Sequence, residues 1–225
     1  MGNDGIPIIT PSSSSQPTTN HRENQTGDQN QIDGSDEIAG VVLAAGTSSR
    51  FGAANKLLVD LKGRPIVAHA VETMVASEVD PVIVVIGHEA DRVADALADQ
   101  PVTLVRNDEY ARGQAASIGV GIDALETSDV AAAVFALGDM PFVSPETVDT
   151  LVTTYRTRPE TALAAAYDSS RGNPVLFDRS HFERLADVSG DTGGRAVLLK
   201  GDRSALVATD DPGVVRDIDT PADLP

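Results

Sequence analysis

The sequence predicts an α/β fold in which helices cover both faces of a mostly parallel sheet. Three observations carry that prediction. Several short runs are continuously apolar, as strands buried on both faces must be: "IAGVVLAA" (38–45), "PVIVVIG" (81–87) and "VAAAVFALGD" (130–139). Segments of helical spacing alternate with them. The 225 residues suit one large domain and a tail better than two full domains.

Each element follows from its residues. The stretch 1–37 reads as a disordered polar tail, because 11–35 is Ser, Thr, Gln, Asn, Gly and Asp with almost nothing to bury. Within it "GIPIIT" (5–10) is an apolar island too short to assign. The body is expected to be a single domain over 38–225. After the first strand, "RPIVAHAVETMVAS" (64–77) has helical spacing with Pro65 near its start. Strand 81–87, helix 88–99 and strand "VTLV" (102–105) follow, then helix 113–125. Gly119-Val-Gly121-Ile-Asp-Ala124 matches the letters of a dinucleotide fingerprint but lies inside that helix, so its glycines predict close helix packing.

Strand 130–139 comes next, then a helix opened by Ser144-Pro145-Glu146 and running to about Tyr155. "TALAAAY" (161–167) and "NPVLF" (173–177) predict two strands. Ser180 with Glu183 predicts a capping box on a short helix. "TGGRAVLLK" (192–200) is predicted helical. "SALVATD" (204–210) and "GVVRDID" (213–219) are predicted as two closing strands, and Thr220, Pro221 and Asp223 as the cap of a last helix.

Composition excludes several functions. With 34 Asp plus Glu against 17 Lys plus Arg, the net charge is −17, and the tail accounts for only −5 of it. Such a chain lacks the basic footprint that a nucleic acid or an anionic membrane demands. No apolar run approaches a membrane span. No secretory signal is evident in residues 1–30, and a cytoplasmic location is expected. The absence of cysteine excludes disulfides, thiolate metal sites and Cys nucleophiles. Only Lys56, Lys62 and Lys200 are lysines. Acidity with so few lysines predicts a protein adapted to high salt, where repulsion is screened within about 3 Å at 1 M.

In sheets of this kind ligands bind beyond the carboxyl ends of the strands. The loop "LAAGTSSRFGAANK" (43–56) follows the first strand, and its amides could wrap an anion while Arg50 and Lys56 clamp phosphates. Asp139 ends a wholly apolar strand, where a charge needs a partner. A Mg²⁺ ion shared with substrate phosphates would supply one, and a turn-capping role is the alternative. Asp217 and Asp219 lie two apart near the end of the predicted strand, and one of them is expected to join Asp139. Asp219 is favoured and Asp217 is the alternate. His69, His88 and His181 show no zinc-ligand spacing.

"LAAGTSSRFG..NK", "RGQAASIGVG", "LGDMPFV", "RGNPVLF", "SGDTGGRAVLL" and "DIDTPADL" occur together and in this order. The body from Ile38 to Leu224 thereby resembles the MobA-like nucleotidyltransferase family, which includes molybdenum cofactor cytidylyltransferase and guanylyltransferase. The resemblance implies a Rossmann-like three-layer sandwich with a mostly parallel, mixed central sheet of the nucleotide-diphospho-sugar transferase type. It implies a nucleotide site at Leu43, Ala44, Ala45, Gly46, Gln114, Ser117 and Gly138, with Arg50, Lys56 and Asp139 catalytic. Mg²⁺ would be held by Asp139 and Asp219. The acceptor side would comprise Arg171, Gly172, Pro174, Asp191, Gly194 and Arg195. Ala45 matches the cytidylyltransferase form of the loop and favours CTP. The sequence departs from the family at Ala115, Ala116 and Gly194.

The activity implied is transfer of CMP from CTP to the phosphate of molybdopterin or molybdenum cofactor, with release of pyrophosphate. A molybdenum hydroxylase receiving the product is the partner implied. A nucleotidyltransferase acting on a sugar or polyol phosphate is the nearest alternative. A non-catalytic nucleotide-binding module that delivers cofactor is the other.

Overall fold

The computed structural model describes residues 5–11, 36–52, 54–188, 190 and 193–225. An eight-stranded sheet forms the middle layer. Its strands are β1 (Ile8–Ile9), β2 (Ile38–Ala44), β5 (Val82–Ile86), β6 (Thr103–Arg106), β7 (Ala132–Leu137), β8 (Ala162–Tyr167), β9 (Ser170–Asp178) and β10 (Ser204–Ala208). They lie in the order β1-β10-β8-β9-β7-β2-β5-β6. All pairs are parallel except those of β9, which runs antiparallel to both β7 and β8. A small hairpin of β3 (Asp60–Leu61) and β4 (Arg64–Pro65), which the sequence reading did not anticipate, precedes the first helix.

Strand periodicity divides the core between the two faces. Val42, Val84, Val134 and Leu163 pack under helices α1 (Ile66–Val75), α2 (Ala90–Ala96) and α4 (Pro145–Thr157). Val41, Val85, Phe135 and Ala164 pack under α3 (Gln114–Ala124), α5 (Phe182–Ala186) and α6 (Arg195–Lys200). The three-layer expectation therefore holds. Gly121 allows α3 to approach the sheet, since an added Cβ would lie 2.8 Å from Val41 Cγ1. Gly121 thus has the packing role predicted for the false fingerprint, whereas Gly119 does not, since a Cβ there would meet open space.

Four local expectations change. The island at 5–10 is structured: Ile8 and Ile9 pair with Leu206 and Val207, and Ile6 is buried. Asp178 rather than Ser180 caps the turn into α5, its carboxylate accepting from the Ser180 amide at 2.9 Å. The predicted last helix is a single 3-10 turn, Pro221–Asp223, closed by the Thr220–Asp223 capping box. The predicted strand 213–219 is instead a 3-10 turn, Pro212–Val215, followed by an extended arm. Asp211 explains this change, because it caps the turn by accepting from Gly213 N at 2.8 Å while also accepting from Ser144, which precedes α4, and Thr147 within it.

Candidate active site

The arm beyond Val215 delivers an acid to the carboxyl ends of β2 and β7. Ile218 is fully buried beside Leu61 and Ile66, and its amide donates to the Asp139 carbonyl at 2.9 Å. The capping turn then fixes Asp219, whose amide donates to Asp223 at 3.1 Å. Asp217 is exposed and Asp219 is half-buried and turned inward. The arm, and not strand alternation, makes that choice.

Lys56 joins the two acids. Its ammonium lies 2.6 Å from Asp139 Oδ2 and 2.8 Å from Asp219 Oδ1, with only 12% of the side chain exposed. Arg50, largely exposed, pairs with the other oxygen of Asp219. Burial works against the Lys56 charge, but Asp139 and Asp219 outweigh it and hold the pKa above the usual lysine value. Burial likewise raises the Asp139 pKa, against the opposing pull of Lys56 and with help from the Asp217 charge.

The loop before Lys56 is pinned by residues to which the sequence reading gave no role. Ser48, buried in a left-handed conformation, accepts from Lys56 N at 3.1 Å and donates to Asn55 Oδ1 at 3.3 Å. Asn55 accepts from Leu57 N and donates to the His88 carbonyl. These bonds fix the root of the lysine side chain.

One cleft borders this cluster, and a second adjoins the first. The first, about 370 Å³, is bordered by Leu43, Ala45, Gly46, Lys56, Gln114, Ser117 and Asp139, all expected there, and also by Tyr110. The amino end of α3 opens onto it through Gly113, whose φ of 100° only glycine adopts easily. Ser117 is buried and accepts from Asn107 Nδ2 at 3.0 Å. Asn107 escaped the sequence reading although it directly follows β6, so reading beyond every strand end would have found it. Ala44 and Gly138 do not border the cleft. They meet each other in its wall, where a Gly138 Cβ would lie 3.2 Å from Ala44 Cβ. Ala45 packs its methyl against Gly87, at 2.8 Å from the Cβ that Gly87 lacks.

The second cleft, about 220 Å³, shares Leu43, Gln114 and Leu137 with the first. Phe135, Val175, Phe177 and Leu198 give it an apolar floor, and Arg171, Asn173 and Arg195 border it. Gly194 lines it too. Two of the expected acceptor residues lie elsewhere. Pro174 faces a small apolar cavity beneath α1 and α4, because alternation along β9 turns it to the opposite face from Val175. Gly172 is buried under the Val214 carbonyl, where a Cβ would clash outright. Asp191 lies outside the described residues.

The donor set suits a hard divalent cation. Asp139 Oδ1 is buried without a hydrogen-bond partner among the described residues. No group of three or more metal-binding side chains occurs among those residues. Magnesium commonly takes only one or two carboxylates and completes its shell with water and phosphate oxygens. No described helix is long and apolar enough to cross a membrane.

Residues 40–205 match the model of the MobA-like NTP transferase domain. The chain belongs to that family. Among relatives of this NTP transferase domain, nicotine blue oxidoreductase of Paenarthrobacter nicotinovorans is 32% identical, over 81% of this chain and 92% of its own length. Purine catabolism protein PucB of Bacillus subtilis is 30% identical, over 82% and 92%. Rv0371c of Mycobacterium tuberculosis superposes with a TM-score of 0.74 at 29% identity, covering 83% of this chain and 94% of that one. A second structure of Rv0371c, in complex with manganese, superposes with a TM-score of 0.71 at 26% identity over 83% and 95%.

Proposed function

We propose that this NTP transferase domain moves CMP from CTP to the phosphate of molybdopterin or molybdenum cofactor and releases pyrophosphate. The observation that carries the reading is the cluster of Lys56, Asp139 and Asp219 at the first of two clefts that share a wall. The nucleotide occupies the first cleft and the pterin the apolar second one. The acceptor phosphate oxygen attacks the α-phosphorus, the α–β bridging P–O bond breaks, and pyrophosphate leaves with that electron pair. A phosphate monoester is already nucleophilic at neutral pH, so no Ser or Cys nucleophile is needed.

The chain's own residues then align and neutralise. Lys56 and Arg50 receive the charge of the β- and γ-phosphates. The first amides of α3 face the cleft and favour anions. Arg171 and Arg195 take the acceptor phosphate. Asp139 and Asp219 would hold Mg²⁺, which would supply positive charge to offset what develops on the phosphates. Ala45, in the wall of that cleft, matches the cytidylyltransferase form of the loop and favours a pyrimidine. The product passes to a molybdenum hydroxylase in the cytoplasm.

Mass spectrometry of the product from CTP and molybdopterin, with pyrophosphate detection, tests the reading. Tight GTP binding without CTP binding overturns the base assignment. Pyrophosphate release with sugar or polyol phosphates alone overturns the acceptor. A second reading draws on the 32% identical relative whose name is an oxidoreductase. In that reading the apolar second cleft holds a planar heterocycle for redox chemistry, and no acceptor yields pyrophosphate.

A further inference from the structure

The carboxylates suited to a metal already have a cation between them. One ammonium sits within 2.8 Å of both Asp139 and Asp219, and Arg50 takes the remaining Asp219 oxygen. Two negative charges thus face two positive ones. The lysine is not there by loose chance, since Ser48 and Asn55 pin its backbone and little of the side chain meets solvent. A divalent cation entering between the same carboxylates would stand against that ammonium at contact distance and repel it.

Lys56 also lines the first cleft, so a second anionic partner lies within reach of its flexible stem. We propose that Lys56 is a place-holder for the divalent cation: it keeps Asp139 and Asp219 closed to metal until a triphosphate draws the ammonium away. The inference rests on the nucleotidyltransferase reading and extends it to the order of loading. Metal and triphosphate enter as a unit, and each raises the affinity of the other by the same factor. Bare metal is disfavoured in the meantime, and Asp139, the more buried of the two acids, stays compensated.

Mn²⁺ serves as the probe, its free concentration followed by electron paramagnetic resonance on the full chain. The wild type should bind Mn²⁺ weakly alone, and at least about tenfold more tightly with a non-hydrolysable CTP analogue. Lys56→Met should bind Mn²⁺ alone about tenfold more tightly than the wild type does. Arg50→Met removes the same charge from an exposed position and should shift Mn²⁺ affinity by less than about threefold.

Lys56→Met binding no tighter than wild type, or Arg50→Met matching it, overturns the inference. Should Lys56→Met fail to fold, the wild type decides: equal Mn²⁺ affinity with and without the analogue overturns it. Failure of the underlying reading looks different. A wild type that binds no triphosphate even with Mn²⁺ ends the nucleotidyltransferase assignment, while the Lys56→Met comparison with Mn²⁺ alone still decides the place-holder role.

Discussion

The two clefts share Gln114, Leu43 and Leu137 yet are built from opposite materials. The first is walled by loops that follow parallel strands, and its chemistry is one ammonium and two carboxylates held by short hydrogen bonds. The second is walled by core side chains, Phe135 and Phe177 among them, from the antiparallel strand β9 and its neighbours. Phosphate chemistry needs charges fixed to a fraction of an ångström, and pinned loops supply that. Recognition of a flat apolar body needs shape, which a close-packed core supplies. The first cleft should therefore fail through lost charge, and the second through lost fit.

The largest effect expected is at the charged cluster. Lys56→Ala and Asp139→Ala should each cut pyrophosphate release by about 10²–10³ or more, the scale seen when a preorganised electrostatic contact is removed. Circular dichroism should show the fold retained. Near-wild-type release from either variant would remove the cluster from the mechanism.

Gly172 breaks the neat division between the clefts. Its neighbours in sequence belong to the second cleft, but its missing Cβ makes room for the Val214 carbonyl at the root of the arm that carries Asp219. Gly172→Ala should destabilise the protein by about 3 kcal/mol, the upper end of overpacking costs. It should also weaken nucleotide turnover more than acceptor binding. A Tm within a degree of wild type would show that the arm has slack.

How much of this was legible follows from where each residue sits. The parallel strands up to β7 carry their signal locally, as apolar runs ended by small or charged residues. Lys56 and Asp139 could therefore be found from position alone. The pairing of Lys56 with Asp219 spans 163 residues, and no local pattern encodes it. "GVVRDID" reads as a short strand, yet the Asp211 cap and the close contact of Gly213 with the Phe142 carbonyl bend it into a turn. Pro174 and Gly172 stood in the right motif but face the wrong way. Their facing is set by the reversal of β9 against β7 and β8, a tertiary fact. Ser48 and Asn55 are small polar residues in a loop full of them, and only their burial marks them.

The acceptor side offers the next, smaller effect. Arg195 borders the second cleft alone, so Arg195→Ala should raise the acceptor KM about tenfold and leave the CTP KM unchanged. Equal changes in both constants would merge the two clefts into one functional unit.

The smallest effect lies away from both clefts and calibrates the rest. Tyr155 of α4 donates to Asp178 at 2.6 Å, next to the turn that Asp178 caps. Burial alone would raise the Asp178 pKa, but the bonds from Ser180 and Tyr155 prevail and hold it below the ordinary 3.8. A carboxylate with a lowered folded pKa contributes stability that is present above 3.8 and disappears as pH falls through the folded value. Tyr155→Phe removes one of those bonds. It should cost about 1 kcal/mol in urea unfolding at pH 7, and the deficit should shrink toward zero in acid below pH 3.8. Pyrophosphate release should be unchanged, since no atom of Tyr155 borders either cleft. A deficit that persists undiminished in acid would assign the loss to packing of the ring and not to the bond with Asp178.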